Sequence, residues 1–97
     1  MVNPALKSLK PPEAKRLARE IVNNGTVEFS GHALEEMAKD ELQTTDCLNL
    51  LRAGNYEPAE YVNGEWRYRV GTSRICVVLA FVSDTRLRVV TAWRNKL

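Results

Sequence analysis

The first third of the chain shows the apolar spacing of a helix. After Pro11-Pro12-Glu13, apolar residues recur at positions i, i+3, i+4, i+7 and i+8: Ala14, Leu17, Ala18, Ile21 and Val22. This period predicts a helix that begins at the prolines and ends at Asn23-Asn24-Gly25. We expect residues 1–10 before this helix to be mobile. Thr26–Phe29 after it is a short β-prone run.

Two further helices are predicted before the chain changes character. Ser30 is a favoured N-cap for a helix over residues 31–39. Thr44 or Thr45 can cap a third helix, for which Gly54 is the stop signal. The helices therefore come first in the chain.

The second half of the chain has the pattern of strands joined by tight turns. Asn63-Gly64 is a strong hairpin signal, because both residues tolerate the positive φ of a type I′ turn. The β-prone runs are 61–62, 65–70, 74–82 and 86–94. We predict a single α+β domain over residues 1–97. Its helices, about 11–54, pack on one face of a four-stranded antiparallel sheet, about 56–95.

Period two sorts the side chains of this sheet into two faces. Bulky apolar residues occupy every second position of the central strand: Ile75, Val77, Leu79 and Phe81. This bulky face should meet the helices, and the same alternation places Trp66 and Trp93 with it. The opposite face then carries four arginines beside small residues: Arg67, Arg69, Arg88 and Arg94. The alternation predicts a shallow basic groove, provided that no one-residue slip inverts a strand.

The net charge of +2 is unevenly distributed. Residues 1–24 carry +3, residues 25–64 carry −6 and residues 65–97 carry +5. Six of the seven cations in the last segment are arginines, whose planar fork grips phosphate through two parallel hydrogen bonds. This charge pattern indicates a polyanion partner. The plainer interpretation is that exposed strand faces simply need polar residues.

Composition and spacing exclude several classes of protein. The chain is 44% hydrophobic and 27% charged, as soluble globular domains are, and its longest apolar stretch is far shorter than the roughly twenty residues of a membrane-spanning helix. Zinc-ligand spacings and glycine-rich phosphate loops are absent, so we expect no metal site and no cofactor. The N-terminus has no signal-peptide core. We expect a cytoplasmic protein that does not contact membranes, in which Cys47 and Cys76 stay reduced.

Three short motifs occur in order on the predicted elements: Phe29-Ser30-Gly31-His32-Ala33, Trp66-Arg67-Tyr68-Arg69-Val70-Gly71 and Leu87-Arg88-Val89-Val90-Thr91-Ala92-Trp93-Arg94. Over about residues 27–94 they resemble a family of small bacterial domains with an F-S-x-H-A start and a V-V-T-A-[YW]-R finish. That family is similar to the BrnT and RelE/ParE toxins. The resemblance implies a RelE/BrnT-like fold and the toxin half of a toxin–antitoxin pair. Such a toxin cleaves RNA without a metal, and its cognate antitoxin covers the active groove.

The chemistry of metal-free RNA cleavage selects the candidate residues. A base must deprotonate the 2′-hydroxyl, cations must stabilise the phosphorane, and an acid must protonate the leaving oxygen. His32 is the only histidine, the residue type that titrates nearest to neutral pH. The predicted catalytic residues are His32, Arg67 and Arg94. The predicted nucleic-acid-binding residues are Arg69, Arg74 and Arg88.

Alternatives to a ribonuclease toxin remain open. The protein could be a toxin that nicks DNA, because recognition of the 2′-hydroxyl leaves no short motif. It could also be a non-catalytic module that binds nucleic acid or a protein, since no partner for His32 is visible. In that case His32 only caps or packs locally. The oligomeric state is not predicted.

Overall fold

The computed structural model describes residues 3–95. These residues form three helices and six strands, which confirms the α+β class. In chain order the elements are α1 (Pro11–Asn24), β1 (Thr26–Phe29), α2 (Gly31–Lys39), α3 (Thr44–Ala53), β2 (Asn55–Tyr56), β3 (Glu60–Val62), β4 (Glu65–Gly71), β5 (Ile75–Phe81) and β6 (Arg86–Arg94). None of the helices within the described residues has the length and apolar character needed to cross a membrane.

Side-chain caps explain where two of the helices begin. Ser30 caps α2 as predicted, since its Oγ accepts a hydrogen bond from the Ala33 N–H at 3.0 Å. The cap of α3 is Gln43, one residue before Thr44. There the Asp46 carboxylate accepts the Gln43 N–H at 2.9 Å, so the first turn is closed by a side chain inside the helix.

The sheet differs from the four-stranded antiparallel sheet that the sequence predicts. It is a mixed, open sheet of six strands in the order β1-β6-β5-β4-β2, and β3 pairs with β4. Strand β1 runs parallel to β6, with Thr26 beside Arg86 and Phe29 beside Val89. The period of a strand does not reveal its partner, so the β-prone run at β1 could be recognised but not placed. The predicted hairpin is confirmed, because Asn63 and Gly64 have φ values of 50° and 81° between β3 and β4.

The helices cover one face of the sheet. Val77, Leu79 and Phe81 of β5 lie in the buried cluster with residues of all three helices, as their bulk predicts. Cys76 and Ala80 are buried too, but they lie outside this cluster, on the face that we call the outer face. Cys47 is fully buried on α3, so both cysteines are buried.

A β-bulge interrupts the alternation of β6. Val78 pairs with Thr91, but Leu79 pairs with Val89, which leaves Val90 as an extra residue. Ser30, at the start of α2, holds this bulge: its N–H donates to the Val89 carbonyl at 3.0 Å and its hydroxyl to the Val90 carbonyl at 2.9 Å. The parity of β6 is therefore inverted beyond the bulge.

This inversion corrects two predictions. Trp93 was expected in the core, but it pairs with Cys76 and lies on the outer face with Thr91. Arg94 was expected among the arginines of the outer face, but it pairs with Ile75, which packs against the helix-side core. Strict period two cannot detect one inserted residue.

The segment before α1 also contacts the core. Leu9 packs against the buried cluster, and its N–H donates to the Tyr68 hydroxyl at 2.7 Å. Tyr68 is fully buried on β4, and this burial raises its pKa. This hydrogen bond ties the N-terminal segment to the middle of the sheet.

Candidate functional site

The outer face of the sheet holds a pocket of about 280 Å³. We call it the outer-face pocket. It is lined by residues of β3, β4, β5 and β6 and of the segment before β3: Glu57, Pro58, Glu60, Val62, Arg67, Arg69, Val78, Val90, Thr91 and Trp93. It thus combines an apolar floor, an indole, two guanidinium groups and two carboxylates.

Glu65 orients two arginines of the outer face. Its carboxylate accepts from Arg67 Nε at 2.8 Å and from an Arg88 terminal nitrogen at 2.5 Å. Burial alone would raise the pKa of Glu65, but the hydrogen bonds and charges of the two arginines outweigh burial and lower it. Glu65 therefore stays ionised and holds both guanidinium groups in place.

Arg69, Trp93 and Glu57 form a second group at the pocket. The Arg69 guanidinium carbon lies 5.8 Å from the centre of the Trp93 ring, a cation–π distance. Arg69 Nε lies 4.0 Å from the Glu57 carboxylate, and the Glu57 N–H donates to the Arg69 carbonyl at 3.0 Å. The side chains of Arg69 and Glu57 are more than half exposed, so a ligand can reach both.

Arg94 lies outside this pocket and donates hydrogen bonds to carbonyl groups at the C-terminal end of α2. Its Nε donates to the Asp40 carbonyl at 3.2 Å, and a terminal nitrogen donates to the Glu41 carbonyl at 3.4 Å. Its N–H donates to the Asp40 carboxylate at 2.8 Å. A cation at the last carbonyls of α2 is favoured by the helix dipole. The structure therefore gives Arg94 a local structural contact instead of a place beside Arg67.

The remaining predicted site residues are dispersed. His32 is exposed in the first turn of α2, and it does not line the outer-face pocket. Arg74 is exposed in the turn between β4 and β5, and it does not line the pocket either. Of the six predicted residues, the structure therefore brings together Arg67 and Arg69 at the pocket and Arg88 beside them through Glu65.

Sequence reasoning missed the acidic residues of the site. Glu57 and Glu60 were counted only as part of an acidic middle segment, but both line the pocket beside arginines. The predicted hairpin held a usable signal, because pairing around Asn63-Gly64 places Glu60 opposite Arg67. Within residues 3–95, no group of three or more His, Cys, Asp or Glu side chains is arranged to hold a metal ion.

Comparison with known proteins places the chain in a family. A family model described as "Domain of unknown function (DUF4258)" matches residues 29–94, from the end of β1 to the end of β6. The chain therefore belongs to this family. No curated protein and no solved structure matches the chain.

Proposed function

We propose that this member of the DUF4258 family binds single-stranded RNA in the outer-face pocket and cleaves it without a metal ion. The observation that carries the proposal is the convergence of Arg67, Arg69 and Trp93 on one pocket. Guanidinium groups bind phosphate, and an indole stacks on the face of any base. Single-strand binding sites combine phosphate-binding cations with aromatic side chains on which the bases stack.

Arg67 is the main phosphate ligand in this proposal. Glu65 holds it through Nε, and no hydrogen bond among residues 3–95 uses its terminal nitrogens. Those nitrogens can donate to a phosphate while the side chain stays in place, so little side-chain entropy is lost on binding. Arg88, held by the same carboxylate, adds a second positive charge nearby.

Glu60 is the base in the proposed reaction, because it lines the pocket and pairs with Arg67 across the β3–β4 ladder. Its carboxylate takes the proton of the RNA 2′-hydroxyl, and the 2′-oxygen forms a bond to phosphorus. The bond from phosphorus to the 5′-oxygen breaks, and that oxygen takes a proton from water. Arg67 stabilises the charge on the phosphorane. The sequence predicts His32 as a catalytic residue that suits either proton-transfer role, and a separate variant tests it.

The resemblance to RelE- and BrnT-like toxins supplies the biological role in this proposal. The protein acts in the cytoplasm as the toxin half of a toxin–antitoxin pair, and a cognate antitoxin covers the outer face. Expression of the chain alone should arrest growth, and co-expression of the neighbouring gene product should restore it. The Glu60→Gln variant, expressed at the same level, should be harmless. Normal growth with folded wild-type protein would contradict the toxin role.

The cleavage experiment uses single-stranded RNA labelled at its 5′ end, in EDTA. We expect a product with a 2′,3′-cyclic phosphate. Glu60→Gln should slow cleavage by about 10²- to 10⁴-fold, the usual contribution of one acid or base. Replacing Arg67 with alanine should reduce the slope of log K against log salt concentration by about 0.7, the contribution of one phosphate contact to single-stranded RNA. Arg19→Ala, which removes the same charge from an exposed position on α1, is the matched control.

Each alternative has its own outcome. RNA binding without turnover would favour a non-catalytic module, and cleavage of single-stranded DNA would favour a DNA nuclease. If His32→Ala abolishes cleavage and Glu60→Gln does not, the base is His32 and the assignment of Glu60 is wrong. An unchanged salt dependence in the folded Arg67→Ala variant would rule out the outer-face pocket as the binding site.

A further inference from the structure

One end of the outer-face pocket carries three different recognition groups close together. The Arg69 guanidinium lies 5.8 Å from the Trp93 ring centre, and its Nε lies 4.0 Å from the Glu57 carboxylate. Val78 and Val90 contribute apolar surface to the same pocket. A flat ring, a pair of donors and a pair of acceptors are the parts from which a site for one nucleobase is built.

We propose that this end of the pocket selects guanine. The inference rests on the proposed binding of RNA and adds a base specificity to it. In the proposed complex the Trp93 indole stacks on the base. The Arg69 fork donates to O6 and N7 of guanine, the commonest arginine–base pairing. The Glu57 carboxylate accepts from N1–H and from the 2-amino group on the adjoining Watson–Crick edge.

The chemistry of the other bases argues against them. A carboxylate can accept two hydrogen bonds only from a base edge with two adjacent donors, and guanine is the one standard base with such an edge. Adenine and cytosine offer one amino group beside a ring acceptor, and uracil offers one N–H between two carbonyls. Each of these would place an acceptor against Glu57. Electrostatic repulsion and an unsatisfied acceptor would weaken their binding.

Glu57 is better placed for this role than Glu60. Glu57 stands beside Arg69, which contacts Trp93, so all three groups can touch one base. Glu60 pairs with Arg67 across the β3–β4 hairpin, where the proposal places the phosphate. The pocket therefore divides into a base end at Trp93 and a phosphate end at Arg67.

The test compares the affinities of the protein for four RNA pentamers, pentauridine and its variants with guanine, adenine or cytosine at the centre. The guanine pentamer should bind about ten- to a hundredfold more tightly than pentauridine, the range expected for one well-formed bidentate pair. Glu57→Gln should reduce this ratio to less than about threefold. Glu35→Gln, an exposed position on α2, should keep the wild-type ratio. Because a ratio is measured on one preparation, partial unfolding of a variant cannot change it.

Modified bases separate the two edges. Inosine lacks the 2-amino group that Glu57 binds. In the wild-type protein, a pentamer with inosine at its centre should therefore lose most of the affinity advantage that the guanine pentamer has over pentauridine. In Glu57→Gln, the inosine and guanine pentamers should bind equally well. 7-Deazaguanine lacks N7, which Arg69 binds. A pentamer with 7-deazaguanine should therefore bind the wild-type protein more weakly than the guanine pentamer does, but the two should bind Arg69→Ala equally well. Equal affinities for inosine and guanine in the wild-type protein would overturn the role of Glu57.

The outcomes distinguish this inference from the proposed function. If all four pentamers bind equally well, the guanine site is refuted and RNA binding stands. If none binds, both fail. Competition by free GMP as strong as that by the guanine pentamer would also overturn the proposal, because it would assign the pocket to a free nucleotide.

Discussion

Replacement of Ser30 by alanine should destabilise the protein, because one hydroxyl makes two hydrogen bonds. Ser30 Oγ accepts the Ala33 N–H at 3.0 Å as the cap of α2, and it donates to the Val90 carbonyl at 2.9 Å in the bulge. Loss of a serine cap costs about 1 kcal/mol. Loss of the bond to a partly buried carbonyl costs about another 1 kcal/mol. The free energy of unfolding should therefore fall by about 2 kcal/mol.

Urea unfolding followed by circular dichroism measures this change. The urea concentration at the midpoint should fall with an unchanged m-value. In thermal unfolding, Tm should drop by about 8 to 16 °C for a domain of this size. Ser30→Thr keeps a hydroxyl that can make both bonds, so it should lose less than about half as much. Amide hydrogen exchange at Thr91 should quicken in Ser30→Ala alone, since the bulge loses a support. A loss below about 0.5 kcal/mol in Ser30→Ala would refute the reasoning that the hydroxyl holds the bulge.

Three further predictions test other parts of the structure. The pKa of Glu65 is lowered in the folded state, so its contribution to stability is present above its ordinary pKa, near 4.5, and is lost as the pH falls through the folded value. As the pH falls from about 6 to 3, the free energy of unfolding in urea should thus decrease less steeply in Glu65→Gln than in the wild-type protein. Parallel curves for the two proteins would contradict this linkage. Burial raises the pKa of Cys47 to about 11, so a thiol reagent at about pH 8 should label Cys47 only as fast as the protein unfolds. Labelling at the rate of a free thiol would contradict its burial. A Cβ at Gly25 would clash with the Thr85 carbonyl oxygen, so Gly25→Ala should lower the free energy of unfolding in urea by about 1–3 kcal/mol. The control Gly31→Ala adds a Cβ with nothing within 4 Å, and equal losses in the two variants would show that the close approach at Gly25 does not matter.

Local sequence determined the elements whose cause lies within a few residues. The cap of α2 depends on the side chain of Ser30, and the turn between β3 and β4 depends on the backbone angles of Asn63 and Gly64. The bulky face of β5 depends on an alternating pattern within that strand. Each of these signals acts over a single turn or strand. For that reason the three helices, the hairpin and the α+β class could be predicted.

Tertiary structure decided which strands are neighbours and which way β6 faces. The parallel pairing of β1 with β6 joins segments about sixty residues apart, and nothing in either segment specifies the other. The extra residue Val90 is accommodated because Ser30, from a distant helix cap, binds its carbonyl. That contact turns Trp93 outward to the pocket and Arg94 inward to the end of α2. The sequence alone therefore predicted the arginines of β4, and its local hairpin already places Glu60 opposite Arg67. The indole of the site required the long-range contacts that set the register of β6.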